Sequence, residues 1–467
     1  MANPLAPEWL DASVDPNALV PGIWADNVAR DGSGQMSVAG VSVTDLAHRF
    51  GTPLYVMDEA HAQTAAGRVR AAFDAACTAV NTTATVYYAG KAFLCTEMVR
   101  LVTAAGLYVD VASGGELAVA LATGIDPARI GLHGNNKSVA EIERAASVGV
   151  GTIVIDSSWE IERVASAATT AGRRQRVRLR VNSGVHASTH SFLATAHEDQ
   201  KFGVTIADAP ALVAAIRAHE SLEFVGLHCH IGSQIYGTDG FAESATRLVA
   251  LHALLSQTGP VAELNLGGGF GIAYKPGDTP TDVETIAAEI ARAVATECEK
   301  HGVPIPVLAF EPGRIIVGSS MFTIYSVGTT KEVTATVGNE TATRLYVSVD
   351  GGMSDNARPA LYGSEYHVRL ANRVSSAPAA LVRVAGKHCE SGDIVINADY
   401  LPGDVTPGDV LAVPATGAYC WSLSSNYNYL ARPAVVAVRD GDARVIVRGE
   451  TEADLLARDA GINGGNS

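Results

Sequence analysis

Apolar and polar positions follow two different rhythms along this chain, and the change between them divides the sequence. Short apolar runs rich in β-branched residues recur at 85–89, 108–112, 129–133, 152–155, 177–181, 224–230, 262–266 and 307–310. Each is too short for a buried helix and reads as a buried strand. Between them, amphipathic stretches predict helices over 96–105, 116–123, 139–148, 158–171, 209–219, 241–256 and 283–300. Strands alternating with helices imply a parallel sheet. Eight such units, over a span close to the ~250 residues typical of that fold, predict a closed (β/α)8 TIM-like barrel.

The pattern differs on both sides of this region. Residues 1 to about 35 are rich in Pro, Asp, Asn and Gly and predict irregular structure. A short strand is expected over 36–39, a helix over 44–50 capped by Thr44 and stopped by Gly51, a strand over 53–57 and an Ala-rich helix over 59–80. After Arg314, strands separated by turns are expected at 322–327, 345–349, 380–384, 393–398, 410–414 and 435–447, with Asp440-Gly-Asp442 as a hairpin turn. This predicts a C-terminal all-β domain, a β-sandwich or β-barrel, which also takes the N-terminal strands. Thr451 is placed to cap a last helix, and 461–467 should fray. The expected division is therefore 1–58 joining the β domain, 59–315 as the barrel and 316–467 as the β domain.

Composition narrows the class of protein. With 467 residues, 47% of them hydrophobic, the chain can bury more than one core. A net charge of −15 argues against nucleic-acid or anionic-membrane partners, which select basic patches. The first ten residues lack a basic stretch followed by an apolar one, and no run approaches the ~20 apolar residues of a membrane span, so a cytoplasmic protein is expected. Cys77, Cys95, Cys229, Cys298, Cys389 and Cys420 are scattered, which fits reduced thiols better than disulfides or a zinc site.

The candidate chemistry lies just after the strands. Lys91 follows the first run, Ser113-Gly-Gly-Glu116 the second, His133-Gly-Asn-Asn-Lys137 the third, Asn182 the fifth, His230-Ile-Gly-Ser-Gln234 the sixth, Gly267-Gly-Gly-Phe-Gly271 the seventh and Glu311-Pro-Gly-Arg314 the eighth. In such a barrel these positions converge on one face. Lys91 by itself is either a solvated residue at a strand end or a Schiff-base lysine whose partly desolvated amine attacks an aldehyde. The glycine loop suits a phosphate but serves equally as a flexible turn, and Arg314 could supply the counter-charge. His228 and His230, two apart on a strand, share a side; they could ligate a metal, though the preferred reading stacks His230 on an aromatic cofactor and leaves His228 a satisfied core residue. Glu311 against a pyridine nitrogen would keep that nitrogen protonated. Taken together, these groups describe a site for pyridoxal 5'-phosphate, with no metal.

Longer motifs carry a resemblance from His48 to Tyr419. They are Tyr87-Tyr-Ala-Gly-Lys-Ala92, Asp110-Val-Ala-Ser-Gly-Gly-Glu-Leu117, His197-Glu-Asp-Gln-Lys-Phe-Gly203, His228-Cys-His-Ile-Gly-Ser-Gln234, Glu311-Pro-Gly-Arg314, Arg358-Pro-Ala-Leu-Tyr362, Cys389-Glu-Ser-Gly-Asp393, Gly417-Ala-Tyr419 and Ser424-Ser-Asn-Tyr-Asn428. Through them the chain resembles the diaminopimelate decarboxylases, in the alanine racemase and ornithine decarboxylase class of fold-type III pyridoxal-phosphate enzymes. The resemblance implies decarboxylation of meso-2,6-diaminopimelate to L-lysine and CO2, the last step of lysine biosynthesis. It makes Lys91 the covalent anchor of the cofactor and His230 its stacking partner. Ser233 with the loop at Gly267, Gly268 and Gly269 would take the phosphate, and Glu311 the ring nitrogen. Asp110, Gly313, Arg314 and Tyr419 would also contact the cofactor; Arg314, Arg358, Tyr362, Glu390 and Tyr419 would surround the substrate. Cys389, from the partner subunit of a homodimer with shared sites, would be the proton donor, and Glu116 and Arg180 would support the ring region. Selection of the substrate's far amino-acid head group would rest on Arg358 and Glu390. The sequence departs from the family at His186-Ala-Ser-Thr-His-Ser-Phe192, where a closer His-Thr-His and an acid before Phe are expected. Another fold-type III decarboxylase or a racemase is the nearest alternative. A regulator that had lost its chemistry should lack Lys91 or Cys389, and metal-dependent hydrolases of this barrel take their paired histidines from the first strand.

Overall fold

The computed structural model of the chain describes residues 3–185, 201–338 and 340–462. The expectations for 186–192, for the start of the 197–203 motif and for 463–467 lie outside them. Two compact units make up the chain: Gln63–Ile272 with Thr279–Ile316, and Met1–Ala62 with Ala273–Asp278 and Val317–Ser467.

The first unit is a closed parallel barrel. Ala84–Ala89, Tyr108–Val111, Ile130–Leu132, Thr152–Ile155, Gln175–Asn182, Leu222–His228, Glu263–Asn265 and Val307–Phe310 pair in chain order, and the last pairs back onto the first. Closure pairs both edges of every strand, and burial of both faces, by helices outside and packed side chains inside, is why most of the runs read as apolar. All four residues of Thr152–Ile155 are buried, for example. A register shift at Phe224/Gly226 sets the direction of the sixth strand, and only glycine fits there: a Cβ on Gly226 would stand 1.9 Å from the Glu263 carbonyl oxygen. The helices between strands follow the amphipathic stretches. Val139–Val148 coincides with its sequence reading, and Ser138 and Glu141 close a capping box at its start.

A buried ion pair lies at the ends of the third and fourth strands. Lys137 and Glu160 are 3% and 2% exposed, and the Lys137 Nζ donates to Glu160 Oε2 at 3.0 Å and to the carbonyls of Gly134 and Val154. The other bond to Glu160 Oε2 comes from the Asp156 amide. The pair thus ties the loop after the third strand, with His133 at its base, to the fourth.

The second unit is mostly β. The 17-residue strand Met321–Val337 is its spine, pairing through Met321–Ile324 with Leu54–Asp58, through Thr323–Ser326 with Val410–Val413, and through its distal half with Glu340–Val349. Val435–Arg439 pairs parallel to Leu54–Asp58, so the N-terminal strand does join the C-terminal β domain, and Asp440–Gly441 turns the predicted hairpin into Asp442–Val447. Two expectations change. The run at 322–327 continues to Val337 because its distal half is a polar, exposed hairpin whose residues carry no burial signal. Helix Val43–Phe50 is capped by Ser42, not Thr44: the Ser42 Oγ accepts from the amides of Thr44 and Asp45. Gly51 terminates that helix as expected.

Lys137→Met should destabilise the barrel by about 3–5 kcal/mol in denaturant unfolding, because it strands a buried carboxylate. Lys137→Met combined with Glu160→Gln, which keeps the Asp156 amide bond, should recover most of that loss.

Candidate active site

A cavity of about 310 Å³ opens where the barrel strands end. Residues from the ends of the first, second, third, fifth, sixth and eighth strands line it, among them Lys91, Asp110, His133, Arg180, His230 and Glu311. This is the convergence that the strand-end positions predict.

Lys91 sits on the single turn Gly90–Ala92 directly after the first strand. Gly90 is needed here, since a Cβ would stand 2.7 Å from the Asp110 carbonyl oxygen of the neighbouring strand. The lysine is exposed at the cavity mouth, so what singles it out is the set of groups it faces and not desolvation. Its charge acts on Asp110, Glu116 and His230. Glu116, in the first turn of Gly114–Leu121, accepts the Ala112 amide at 2.6 Å, and Ser113 caps that helix. Burial pushes the Glu116 carboxyl up.

Two carboxyl groups with opposite electrostatic fates share the cavity floor. Burial and the charge of Glu311 push Asp110 well above the usual carboxylate range. Burial also pushes Glu311 up, but the imidazoles of His228 and His133 more than offset it and hold this carboxyl well below that range. His228 Nε2 lies 3.1 Å from Glu311 Oε1 and 3.2 Å from Oε2. His133 Nε2 lies 3.1 Å from Asp110 Oδ1 and 3.4 Å from Glu311 Oε1. Asn265 Nδ2 donates to Glu311 Oε1 at 2.7 Å. Burial lowers both imidazoles to about 4, so their charge holds Glu311 ionised only in acid, and near pH 7 His228 acts on it as a neutral hydrogen-bonding ring. The donor atoms of His133, His228 and Glu311 all lie within 4.8 Å of one another, close enough to chelate a cation. Hydrogen-bonded imidazole and carboxylate account for the same spacing without one.

Beside the cavity run the glycine loop and its neighbours. Gly267 and Gly269 have φ of 69° and 109°, conformations that a side chain disfavours. The Gly268 amide donates to His230 Nδ1 at 3.3 Å, which orients that half-buried ring. Arg314, buried at the start of Arg314–Val317, donates from Nη2 to the exposed Ser233 Oγ at 2.8 Å. Gly313 packs against the first strand, where a Cβ would lie 3.1 Å from Ala89 and Ala92. Of the residues expected to hold the cofactor, Lys91, Asp110, His230 and Glu311 line the cavity, whereas Ser233, Gly267, Gly268, Gly269, Gly313 and Arg314 belong to the neighbouring loops and do not line it.

Arg358, Tyr362, Cys389, Glu390 and Tyr419 belong to the other unit. The buried Arg358 donates to Tyr366 Oη at 2.7 Å and lies 4.8 Å from the Tyr274 ring centroid. Tyr362, on the same short helix Arg358–Tyr362, is 60% exposed. Cys389 is an exposed free thiol whose backbone amide donates to Asn428 Oδ1 at 3.0 Å. The exposed Glu390 accepts from its own turn, at the Gly392 amide and Ser391 Oγ, and those bonds lower its carboxyl. Tyr419 holds a left-handed φ of 66°, a strained conformation for an aromatic residue.

The sequence reading missed three participants. His133 was visible only as the first residue of a loop, Asn265 was hidden inside an apolar strand, and His228 was read as core packing. His228 is indeed 1% exposed, but its partner is Glu311. No spacing along the chain links these residues, because they come from different strands.

Comparison with known proteins agrees with this architecture. Residues 66–318 match the family model for the pyridoxal-binding domain of pyridoxal-dependent decarboxylases. The chain is 49% identical over 447 residues to the diaminopimelate decarboxylase of Mycobacterium bovis, covering 94% of this chain and 98% of that one. It is 44% identical to the Corynebacterium efficiens enzyme of the same name, over 94% of this chain and 95% of that one. The crystal structure of diaminopimelate decarboxylase from M. jannaschii in complex with L-lysine superposes with a TM-score of 0.83 at 30% identity, covering 93% of this chain and 98% of that one. By the family model and by relatives that match along nearly its whole length, the chain belongs to the diaminopimelate decarboxylase family of pyridoxal-dependent decarboxylases.

Proposed function

We propose that the chain removes the carboxylate from meso-2,6-diaminopimelate to give L-lysine and CO2, with pyridoxal 5'-phosphate as cofactor, as the last step of lysine biosynthesis. The observation that carries this reading is the cavity in which one lysine, one stacking imidazole and one low-pKa carboxylate face each other at the barrel mouth. Its residues fit the cofactor. Among the described residues, both Asp110 carboxylate oxygens and His133 Nε2 are buried without a hydrogen-bond partner in proper geometry, as expected of a floor built to meet a polar ring. The volume lies at the lower end of the ~300–1,000 Å³ typical of ligand pockets.

In this reading Lys91 Nζ binds the cofactor aldehyde, and His230 covers one ring face. Glu311 takes the ring nitrogen, with Asp110 beside it. Ser233, Gly267, Gly268, Gly269, Gly313 and Arg314 hold the phosphate. When bound, the cofactor supplies an electron sink for the pair left behind by the departing carboxylate. Cys389 Sγ then delivers a proton to the α-carbon, and solvent restores the thiol, so each CO2 released consumes one proton. Arg358, Tyr362 and Glu390 select the substrate by its far amino-acid head group, which needs both a cation and an anion, while Arg314 and Tyr419 contact it as well as the cofactor.

Cys389, Glu390 and Tyr362 are all exposed on one chain, which supports a homodimer in which they complete the partner's site. The same reading puts the protein in the cytoplasm, since its six cysteines form no disulfide and suit a reducing compartment.

Borohydride reduction after loading with pyridoxal phosphate should tag the peptide containing Lys91 in a mass-spectrometric digest, and Lys91→Ala should carry no tag. CO2 release should be fastest from meso-diaminopimelate, and faster turnover of ornithine or lysine would overturn the substrate assignment. Cys389→Ala should lower kcat by ~10²–10⁴-fold, the usual range for a lost general acid, with KM little changed. Mixing Lys91→Ala with Cys389→Ala should restore part of the activity once subunits exchange; proven exchange without recovery counts against shared sites.

A further inference from the structure

We propose that His228 is a positioning residue for Glu311, donating its Nε2 proton to that carboxylate so that Glu311 is presented to the cavity as an anion in one fixed orientation. The inference rests on the reading of Glu311 as the partner of the cofactor's ring nitrogen, and it concerns a residue with no contact of its own to the reacting atoms.

Three observations converge on it. First, Asn265 is oriented unambiguously. Its Oδ1 accepts the Gly267 amide at 2.8 Å, so its Nδ2 must be the atom facing Glu311 Oε1. The carboxyl thus already receives one donor, and a second donor favours the ionised form further.

Second, the tautomer of His228 follows from its surroundings. Nε2 lies within hydrogen-bond distance of both Glu311 oxygens, whereas Nδ1 is buried with no partner among the described residues. An imidazolium would leave an N–H unpaired in the interior, which costs its full desolvation. The neutral ring with its proton on Nε2 satisfies both ends. Burial lowers this imidazole to about 4, which agrees with a ring that stays neutral across the physiological range.

Third, His228 ends the strand Leu222–His228, while Glu311 directly follows Val307–Phe310 and Asn265 ends Glu263–Asn265, the strand between them. Three adjacent strand ends therefore grip one carboxylate. Among the described residues, the other ionisable groups that act on it or line the same cavity include His133, Asp110, His230, Arg180 and Lys91. His133 lies 3.4 Å away, without hydrogen-bond geometry. Asp110, with no donor of its own, is pushed in the opposite direction. The two donors, His228 and Asn265, thereby favour the charge on Glu311, beside an Asp110 that burial and the Glu311 charge push up.

The test has two arms. Without cofactor, ¹⁵N-histidine spectra should show a neutral ring at His228 between pH 6 and 8 with its proton on Nε2, and Glu311→Leu should perturb that resonance. A ring protonated on Nδ1, or one indifferent to Glu311→Leu, overturns the proposal. With pyridoxal phosphate labelled at the ring nitrogen, His228→Leu should lower the protonated fraction seen by ¹⁵N resonance. It should also reduce kcat and cofactor affinity roughly 10- to 100-fold each, the scale of one charge-assisted hydrogen bond. His228→Gln, whose amide reaches the Nε2 position, should restore ring-nitrogen protonation, whereas the shorter His228→Asn should not. Equal behaviour of Gln and Asn, or an unchanged ring nitrogen in folded His228→Leu, also overturns it. If His228→Leu does not fold, the Gln and Asn comparison decides. A wild-type protein that takes up no cofactor would defeat the functional reading, and the first arm would still decide this one.

Discussion

A parallel sheet closed on itself leaves its strands only one way to end. Because all eight barrel strands run in the same direction and every edge is paired, their carboxyl ends meet on a single rim. The chain's unusual residues are placed by that constraint. Lys91, Asp110, His133, His228 and Glu311 are separated by up to about half the sequence, yet each stands at or just beyond a strand end and faces one cavity. Gly90 and Gly226 show the cost of the closure, since neighbouring backbones approach so tightly that no side chain fits.

The rim concentrates charge where water is scarce, and the protein resolves the resulting conflict by unequal hydrogen bonding. Two carboxyls within reach of the same imidazole cannot both ionise cheaply. Glu311 receives Asn265 and His228, while Asp110 receives no well-formed donor. Similar groups in similar burial thus acquire opposite tendencies, the arrangement by which one site can hold an acid and a base together. At the ends of the third and fourth strands, Lys137 and Glu160 form a buried ion pair, joined through Glu160 Oε2, that fastens the loop carrying His133.

The second unit solves a different problem, holding loops in defined shapes on a rigid sheet. Met321–Val337 threads through three pairings and gives its neighbours a common register. Asp393 accepts the amides of Met353 and His388 and faces the His388 ring, which fixes the turn leading into Cys389 and Glu390. The exposed thiol and carboxylate are therefore carried on an ordered loop.

By itself the sequence determined the order of elements, the barrel, the entry of the N-terminal strand into the β domain, and the family to which Lys91 and Glu311 belong. These follow from local periodicity and from motifs contiguous in the chain. Where the signal was weak or split, the structure differs: Ser42 and Thr44 both suit a helix cap, and the distal half of Met321–Val337 is mostly exposed where it pairs with Glu340–Val349. Lys91 reads from its own position as either a solvated residue or a partly desolvated amine; it is exposed, and its neighbours from other strands give it its character. Only the tertiary structure decided that His228 faces a carboxylate and not mere core packing, that Asn265 orients the same group, and that Asp110 and Glu311 diverge. Those properties arise between strands whose spacing in the chain carries no information about contact, and electrostatics depends on burial and distance, which exist only once the chain has closed.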